Sequence, residues 1–449
     1  MNTRAHDPAA VTIVGAGPVG TLLALLLAAD GRRVQLLERR PDPRVGPPER
    51  GRSINLALAA RGLAALAHAG VLSRVQPELV AMRGRRLHDR EGHGPLLPYG
   101  LREHEVIHAV DRSRLNVALI EAAAEVPLID IQFGRRAIHV DAATGSVRWQ
   151  EPSGAVAENG PAPFVIAADG AGSALRHALQ ERGLLQASED PLAHDYKELH
   201  IPPRADGGWP FEAHALHIWP RGGFMLIALP NPDRSFTATL FLPERGAVSF
   251  EAIAGNAASR AFFAREFPDA LALIPDFDAQ FASHPQGKLA TLHCWPWHAR
   301  RVLLVGDAAH AIVPFHGQGL NCGFEDCVQL AQLLASESSP AAAGQKFEDL
   351  RRPNTDAIAA MAIENYQEMR DTVASPDFAR RKQLALDLER HFPGRFIPRY
   401  SMVMFHAEIP YAEAQRRGAL QEGVLDALLA ARAGAGSPLA ARLLGEAGL

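Results

Sequence analysis

A chain of 449 residues, 47% of them hydrophobic and 21% charged, is long enough to bury two or three domain cores. Lys and Arg number 46 against 50 Asp and Glu, and a net charge of −4 gives no electrostatic basis for binding nucleic acid. The three cysteines, Cys294, Cys322 and Cys327, have neither metal nor redox spacing, which excludes a disulfide scaffold and suits a reducing compartment.

Residues 1–10 are polar, and the apolar stretch 11–29 is interrupted by glycines and a proline, so it reads as neither signal peptide nor membrane span. The segment from Tyr411 onward is broken by charges throughout. The expectation is a cytoplasmic protein without a membrane anchor.

In chain order, the strand Val11-Thr-Ile-Val14 runs into Gly15-Ala-Gly17-Pro-Val-Gly20 and an apolar helix, and a second strand, 34–37, ends at Glu38. This is the dinucleotide fingerprint in its proper context. Gly15 makes the turn, Gly17 lets a pyrophosphate approach, Gly20 packs the helix, and Glu38 reaches a ribose hydroxyl. Arg50 and Arg52 follow, either as solvated loop charges or, for Arg52, as a phosphate or flavin contact. A helix is predicted over 59–69, a charged strand from Met82, a shorter one over 97–100, and a helix over 115–125 capped by Asp111 or Ser113. Strands at 129–133 and 146–149 precede a second apolar strand ending in Ala168-Asp169-Gly170, with a helix start beyond.

From Leu199 the texture changes to three strands, 214–220, 224–229 and 235–242, joined by short turns. They predict an antiparallel sheet on which Leu216, Ile227, Leu229 and Phe241 can share one face; ordinary sheet core explains these four as well as a pocket does. Helical sequence at 251–267 and a strand near Ala290 lead to 302–305, an apolar strand stopped by Gly306-Asp307. Pro314, Gly317 and Gly319 then form a loop that lets backbone approach a ligand, and a helix from about Asn321 points its amides at the same place. Three strand ends are therefore expected to converge on one ligand. The remainder reads as helices at 356–370, 378–390 and 424–432, with a last one after Gly434-Ala-Gly-Ser-Pro438, as a lid or an oligomer interface.

Gly15-x-Gly17-x-x-Gly20, Ala168-Asp169-Gly170 and Gly306-Asp307-Ala-Ala-His310 together resemble the three motifs of the FAD-dependent aromatic hydroxylases of the single-component class. Within it, the blocks starting at Arg50, Met82, Leu216, Ile227, Ser235 and His310 resemble the kynurenine 3-monooxygenase family, over about 11–405. The resemblance implies an α/β fold: a Rossmann-type FAD-binding domain (1–75, 101–180 and 290–340), an inserted antiparallel-sheet substrate domain (76–100 and 181–289) and a C-terminal helical block (341–449). It implies bound FAD, held by Gly15, Gly17, Val19, Gly20, Glu38, Arg39, Arg112, Asp169, Asp307, Gly319, Leu320 and Asn321. Pro314, Phe315, Gly317, Gln318 and Gly319 would form the flavin loop.

For the substrate, L-kynurenine, the resemblance assigns Arg85 and Tyr99 to the carboxylate, Tyr400 to a further polar contact and Asn365 to the amino-acid head. Leu216, Ile227, Leu229, Phe241 and Phe315 would be the apolar walls. It implies NADPH as a transient co-substrate, O2, and hydroxylation at the 3-position through a flavin C4a-hydroperoxide. The amine of the substrate activates the ring, so no acid or base is assigned. His310 and His316 are read as structural, no metal site is expected, and a homodimer is compatible. A related hydroxylase for another aromatic, a flavin halogenase or a non-catalytic flavin protein stay as alternatives. Trp295-Pro-Trp297 has the outline of the halogenase Trp-x-Trp without the Ile-Pro that should follow.

Overall fold

The computed structural model describes residues 11–45 and 55–449, so Arg50 and Arg52 lie outside the described residues. The chain divides into two compact units. The first comprises Met1–Glu78, Val110–Leu192 and Ala290–Thr355, and the second Leu79–Ala109, Ala193–Leu289 and Asp356–Leu449. Residues 341–355 of the C-terminal block thus go with the first unit and the rest of that block with the second. No helix among the described residues is long and apolar enough to cross a membrane.

The first unit is built on a six-stranded sheet in the order His298–Ala299, Val302–Leu304, Val165–Ala167, Val11–Val14, Val34–Glu38, Ile129–Phe133. All neighbours are parallel except the first pair. The central strands are buried throughout and accordingly read as continuous apolar runs. Register places Val14 beside both Leu37 and Ala167, and Ala167 beside Leu304. The strands therefore end at one edge, and Gly15, Glu38, Asp169 and Asp307 all leave from it, as the sequence predicts. The helix Pro18–Ala29 is buried almost all round, with Leu22, Leu23 and Leu27 wholly inside. A smaller antiparallel sheet, Arg136–Asp141, Ser146–Gln150 and Val156–Glu158, adds two strands that the sequence reading lacks.

The second unit carries a seven-stranded sheet in the order Gln286–Trp295, Gln186–Ile201, Phe236–Pro243, Met225–Pro230, Ala215–Pro220, Gly84–Leu87, Leu96–Pro98. The three central strands match the prediction. Ala215–Pro220 and Gly84–Leu87, however, run parallel, because these strands are far apart in sequence and no hairpin constrains them. Alternation sorts the two faces: Trp219, Leu226, Ala228, Phe236, Ala238, Leu240 and Leu242 join Phe262, Phe263, Phe267 and Phe277 in one apolar core. Each buried Phe there contributes on the order of 1.5–3 kcal/mol. The opposite face carries Arg85, Leu216, Ile227, Leu229 and Phe241. The helices Pro376–His391, Arg399–Phe405, Tyr411–Ala430 and Pro438–Glu446 complete the unit, three of them sharing a second core of Leu384, Leu388, Phe396, Val424, Leu425, Leu428 and Leu444.

Candidate active site

The dinucleotide cradle is assembled in the first unit. Gly15 adopts φ 105°, and a Cβ there would stand 2.4 Å from the Ala168 carbonyl oxygen; a Cβ at Gly20 would stand 2.0 Å from the carbonyl oxygen of Gly15. Only glycine fits either position. Gly17 is different: among the described residues beyond its chain neighbours, no atom lies within 4 Å of where its Cβ would be, so its open side is room for a ligand. Glu38 is buried and holds the loop, its Oε2 accepting from the Ala16 amide (2.8 Å) and its Oε1 from the Arg40 amide and Nε (2.9 Å each). A carboxylate has about four lone-pair sites, so acceptor capacity is left for a ribose hydroxyl. Arg39 and Arg112 are exposed, the latter opening the helix Arg112–Ala124, whose cap is Asp111.

Asp169 accepts from the Ala174 amide (2.8 Å), while its Oδ1 is buried without a partner among the described residues; burial pushes this carboxyl up. Asp307 is exposed at the end of its strand. Pro314 and Phe315 form a single helical turn, Gly317 follows in the left-handed region, and Gln318 is buried. The helix Gly319–Ser336 has no side-chain cap, so the amides of Gly319, Leu320 and Asn321 are not used by the helix and offer their positive end to a ligand. The Asn321 side chain is committed to the protein. Its Oδ1 accepts from the Ala59 (2.8 Å) and Gly62 (3.2 Å) amides, and its Nδ2 donates to the Ala57 (2.7 Å) and Gly317 (2.8 Å) carbonyls. Any contribution of Asn321 to a cofactor is therefore through its backbone. Val19 backs the same region, with Gly306 and Gly323 close against its side chain. Open space at Gly17, the unpartnered Asp169 oxygen and the uncapped helix fit a flavin dinucleotide.

Behind this cradle lies a buried ion network. His310 Nε2 is 2.5 Å from Asp326 Oδ2, Arg351 Nε donates to Asp326 Oδ1 (2.7 Å), and Arg351 and Arg61 both pair with Glu325. His310, Cys322 and Asp326 bring potential ligand atoms within 4.8 Å of one another, but the Arg351 guanidinium already supplies the cation there. Asp326 is held below the usual carboxylate range: burial opposes this, and His310 and Arg351 outweigh it. His310 thus acts as a structural bonder of the strand end. His316 is also buried.

The second unit gathers four of the expected substrate residues. Arg85, on Gly84–Leu87, is 4% exposed; its Nη1 pairs with Glu368 Oε1 (2.8 Å) and its Nη2 donates to Asn365 Oδ1 (3.1 Å). The guanidinium lies 4.8 Å from the Tyr400 ring centroid and 6.0 Å from that of Tyr99, and the two rings stack at 5.6 Å. Arg85 Nε is buried and has no acceptor among the described residues. Burial works against the charged form of Arg85, but the two phenols and Glu368 hold its pKa above the ordinary arginine value. Such a cation, set beside two stacked rings with its Nε–H unspent, is prepared for a carboxylate.

Register puts Arg85 directly beside Leu216, with Ile227 beside Ile218 and Phe241 beside Met225. Leu216, Leu229 and Phe241 are buried and Ile227 is half-buried, so the charged clamp and an aliphatic-aromatic wall share one sheet face. Phe315 lies in the first unit, buried within its turn. Glu368 is absent from the sequence reading, although it stands one helical turn after Asn365. It opens a π-helical turn, Glu368–Thr372, a distortion frequent at functional sites.

The FAD binding domain family matches residues 8–349. The chain is 49% identical over 422 residues to the kynurenine 3-monooxygenase of Stenotrophomonas maltophilia (strain K279a), covering 94% of this chain and 92% of that protein. It is 46% identical over 419 residues to the kynurenine 3-monooxygenase of Myxococcus xanthus (strain DK1622), covering 93% and 90%. The chain belongs to the kynurenine 3-monooxygenase family. It is accordingly an FAD-dependent monooxygenase. Among solved structures, 2-methyl-3-hydroxypyridine-5-carboxylic acid oxygenase in its tetrameric form matches with TM-score 0.64 and 21% identity, covering 92% of this chain and 98% of that one. The p-nitrophenol 4-monooxygenase of Pseudomonas putida DLL-E4 matches with TM-score 0.64 and 19% identity, covering 85% and 94%. At such identities these two speak for the fold alone.

Proposed function

We propose that the protein hydroxylates L-kynurenine at the 3-position to 3-hydroxy-L-kynurenine, with NADPH and O2 as co-substrates. The observation that carries the reading is the Arg85 clamp on the same sheet face as the Leu216, Ile227, Leu229 and Phe241 wall, in a chain nearly half identical to kynurenine 3-monooxygenases. Kynurenine is a flat aromatic amine with a zwitterionic tail. Arg85 takes its carboxylate, Tyr99 and Tyr400 flank the guanidinium and add phenolic donors, and Asn365 supplies an amide to the head. The apolar wall holds the ring.

Gly15, Gly17 and Gly20 and the amides at the start of Gly319–Ser336 would hold FAD, which when bound would pass the two electrons of NADPH to O2, so that one oxygen atom of O2 can go to the ring and the other leave as water. The aromatic amine makes its own ortho carbon electron-rich, so the chain need not provide a strong acid or base. Its residues orient the ring and exclude water, contributions that reach several kcal/mol of a barrier. The cytoplasm is the proposed place of action, supported by three buried, unpaired cysteines.

Turnover under 18O2 tests the reading. The expected result is 3-hydroxykynurenine carrying one heavy oxygen; unlabelled product, or no hydroxylated product from kynurenine, refutes it.

A further inference from the structure

Tyr99 stands where its strand leaves the sheet. Leu96–Pro98 pairs with Gly84–Leu87, setting Leu97 beside Arg85, and the Tyr99 amide donates to the Arg83 carbonyl (3.0 Å). Beyond it the chain is out of the ladder until the strand Ile107–Val110. A ring at such a departure keeps a defined place only if the residues that follow are themselves held.

Glu105 holds them. It is 3% exposed, its Oε2 accepts from the Leu101 (2.6 Å) and Arg102 (2.9 Å) amides, and its Oε1 pairs with the Arg102 guanidinium. Its own amide donates to the Arg102 carbonyl (3.0 Å), so the loop closes around one carboxylate. A Cβ at Gly100 would stand 2.2 Å from Glu105 Oε2; the carboxylate thus fills the space against the residue next to Tyr99. Burial works against the anion, but the Arg102 amide and guanidinium and the Leu101 amide hold this carboxyl below its usual range. Arg102 Nη1 also reaches Glu389 Oε1 (3.3 Å) on Pro376–His391, which ties the loop to the helices as the Tyr99 stack on Tyr400 does.

We propose that Glu105 is a positioning residue for the substrate: by holding the loop 100–105 it sets the Tyr99 phenol beside the Arg85 guanidinium, and with it the affinity for the substrate carboxylate. This deepens the reading above and rests on its assignment of Tyr99 to that carboxylate. The donor set explains why the residue is an acid. N–H groups of Leu101 and Arg102 and the Arg102 guanidinium face its two oxygens. A glutamine has a single acceptor oxygen, so it can meet the amides or the guanidinium and must turn its NH2 on the other.

The experiment is titration of L-kynurenine into the oxidised FAD-loaded protein, followed by flavin absorbance, for the parent, Glu105→Gln, Tyr99→Phe and the double variant. Glu105→Gln and Tyr99→Phe should each raise the Kd about tenfold with FAD per chain unchanged. In the Tyr99→Phe background Glu105→Gln should cost no more than about twofold, because a phenol already removed cannot be misplaced. A carboxylate that served the fold alone would weaken binding by the same factor in both backgrounds. Gly100→Ala, which displaces the same carboxylate without changing charge, should reproduce the loss and its dependence on the Tyr99 hydroxyl. A Kd within about twofold of the parent in both Glu105→Gln and Gly100→Ala, or a loss that persists in full in Tyr99→Phe, overturns the proposal and leaves the kynurenine reading standing. Parent-like binding by Tyr99→Phe overturns the assignment of Tyr99 and the proposal with it. Absence of kynurenine binding in the parent overturns the substrate reading as a whole.

Discussion

Replacing Arg85 by Ala removes the Nη1 pairing with Glu368, the Nη2 bond to Asn365 and the unspent Nε donor in one step. Truncating one partner of a buried, hydrogen-bonded charge pair costs about 2–5 kcal/mol. At about 3 kcal/mol, kynurenine binding weakens by about 150-fold. Part of that loss comes from Glu368, which would then face the incoming carboxylate with no guanidinium between them. Arg85→Ala combined with Glu368→Gln should accordingly bind about tenfold better than Arg85→Ala alone. Arg85→Lys should not rescue, because a point charge lacks the fork that meets a carboxylate in two places. FAD content should be unchanged in every variant, since the cradle residues all belong to the other unit. The assay is the change in flavin absorbance on titration with L-kynurenine, with bound FAD measured per chain. A Kd within about threefold of the parent in Arg85→Ala refutes the carboxylate assignment.

Three further outcomes follow from the geometry. Gly17→Ala should leave the FAD-free protein as stable as the parent while weakening FAD retention, whereas Gly20→Ala, forced against the Gly15 carbonyl at 2.0 Å, should lower the melting temperature even without FAD; equal effects in the apo-protein would contradict the cradle. Asp326→Asn takes the carboxylate from between Arg351 and His310, leaving Arg351 to share Glu325 with Arg61, and should cost about 3–5 kcal/mol in denaturant unfolding; a loss below about 1 kcal/mol would show that the network is dispensable. His217 is buried, its Nε2 2.9 Å from the Glu212 carbonyl and its Nδ1 2.8 Å from His88, and burial pushes it down to about 3. Because the unfolded chain binds that proton and the folded one does not, its stability contribution is full above pH 6.5 and falls by about 2 kcal/mol on going to pH 5. His217→Gln should remove this part of the acid destabilisation, read from urea midpoints at several pH values; an unaltered pH profile in the variant would contradict it.

The flavin half was legible because its signals are local. A glycine or an acid at a strand end needs only its immediate neighbours to be recognised, and parallel register then brings Val14, Leu37, Ala167 and Leu304 level. The shared face of Leu216, Ile227, Leu229 and Phe241 was legible from alternation, but the meaning of these residues, and of Arg85, Tyr99, Asn365 and Tyr400, came from family resemblance. Alternation does not distinguish a pocket wall from a core. The strand Gln186–Ile201 escaped because its first half is mostly exposed and carries Glu189, Asp190 and Pro191, residues depleted from strands. The helix Arg399–Phe405 is too short to show a period. Glu368 looks like an ordinary surface charge in a helical stretch; only the tertiary approach of Arg85 gives it a role.

The most direct test of the account is NADPH oxidation by the purified flavoprotein with and without L-kynurenine, with the product identified. Oxidation should accelerate with kynurenine, and each NADPH consumed should yield one 3-hydroxykynurenine. Acceleration accompanied by hydrogen peroxide and no hydroxylated product, or no acceleration at all, would contradict it.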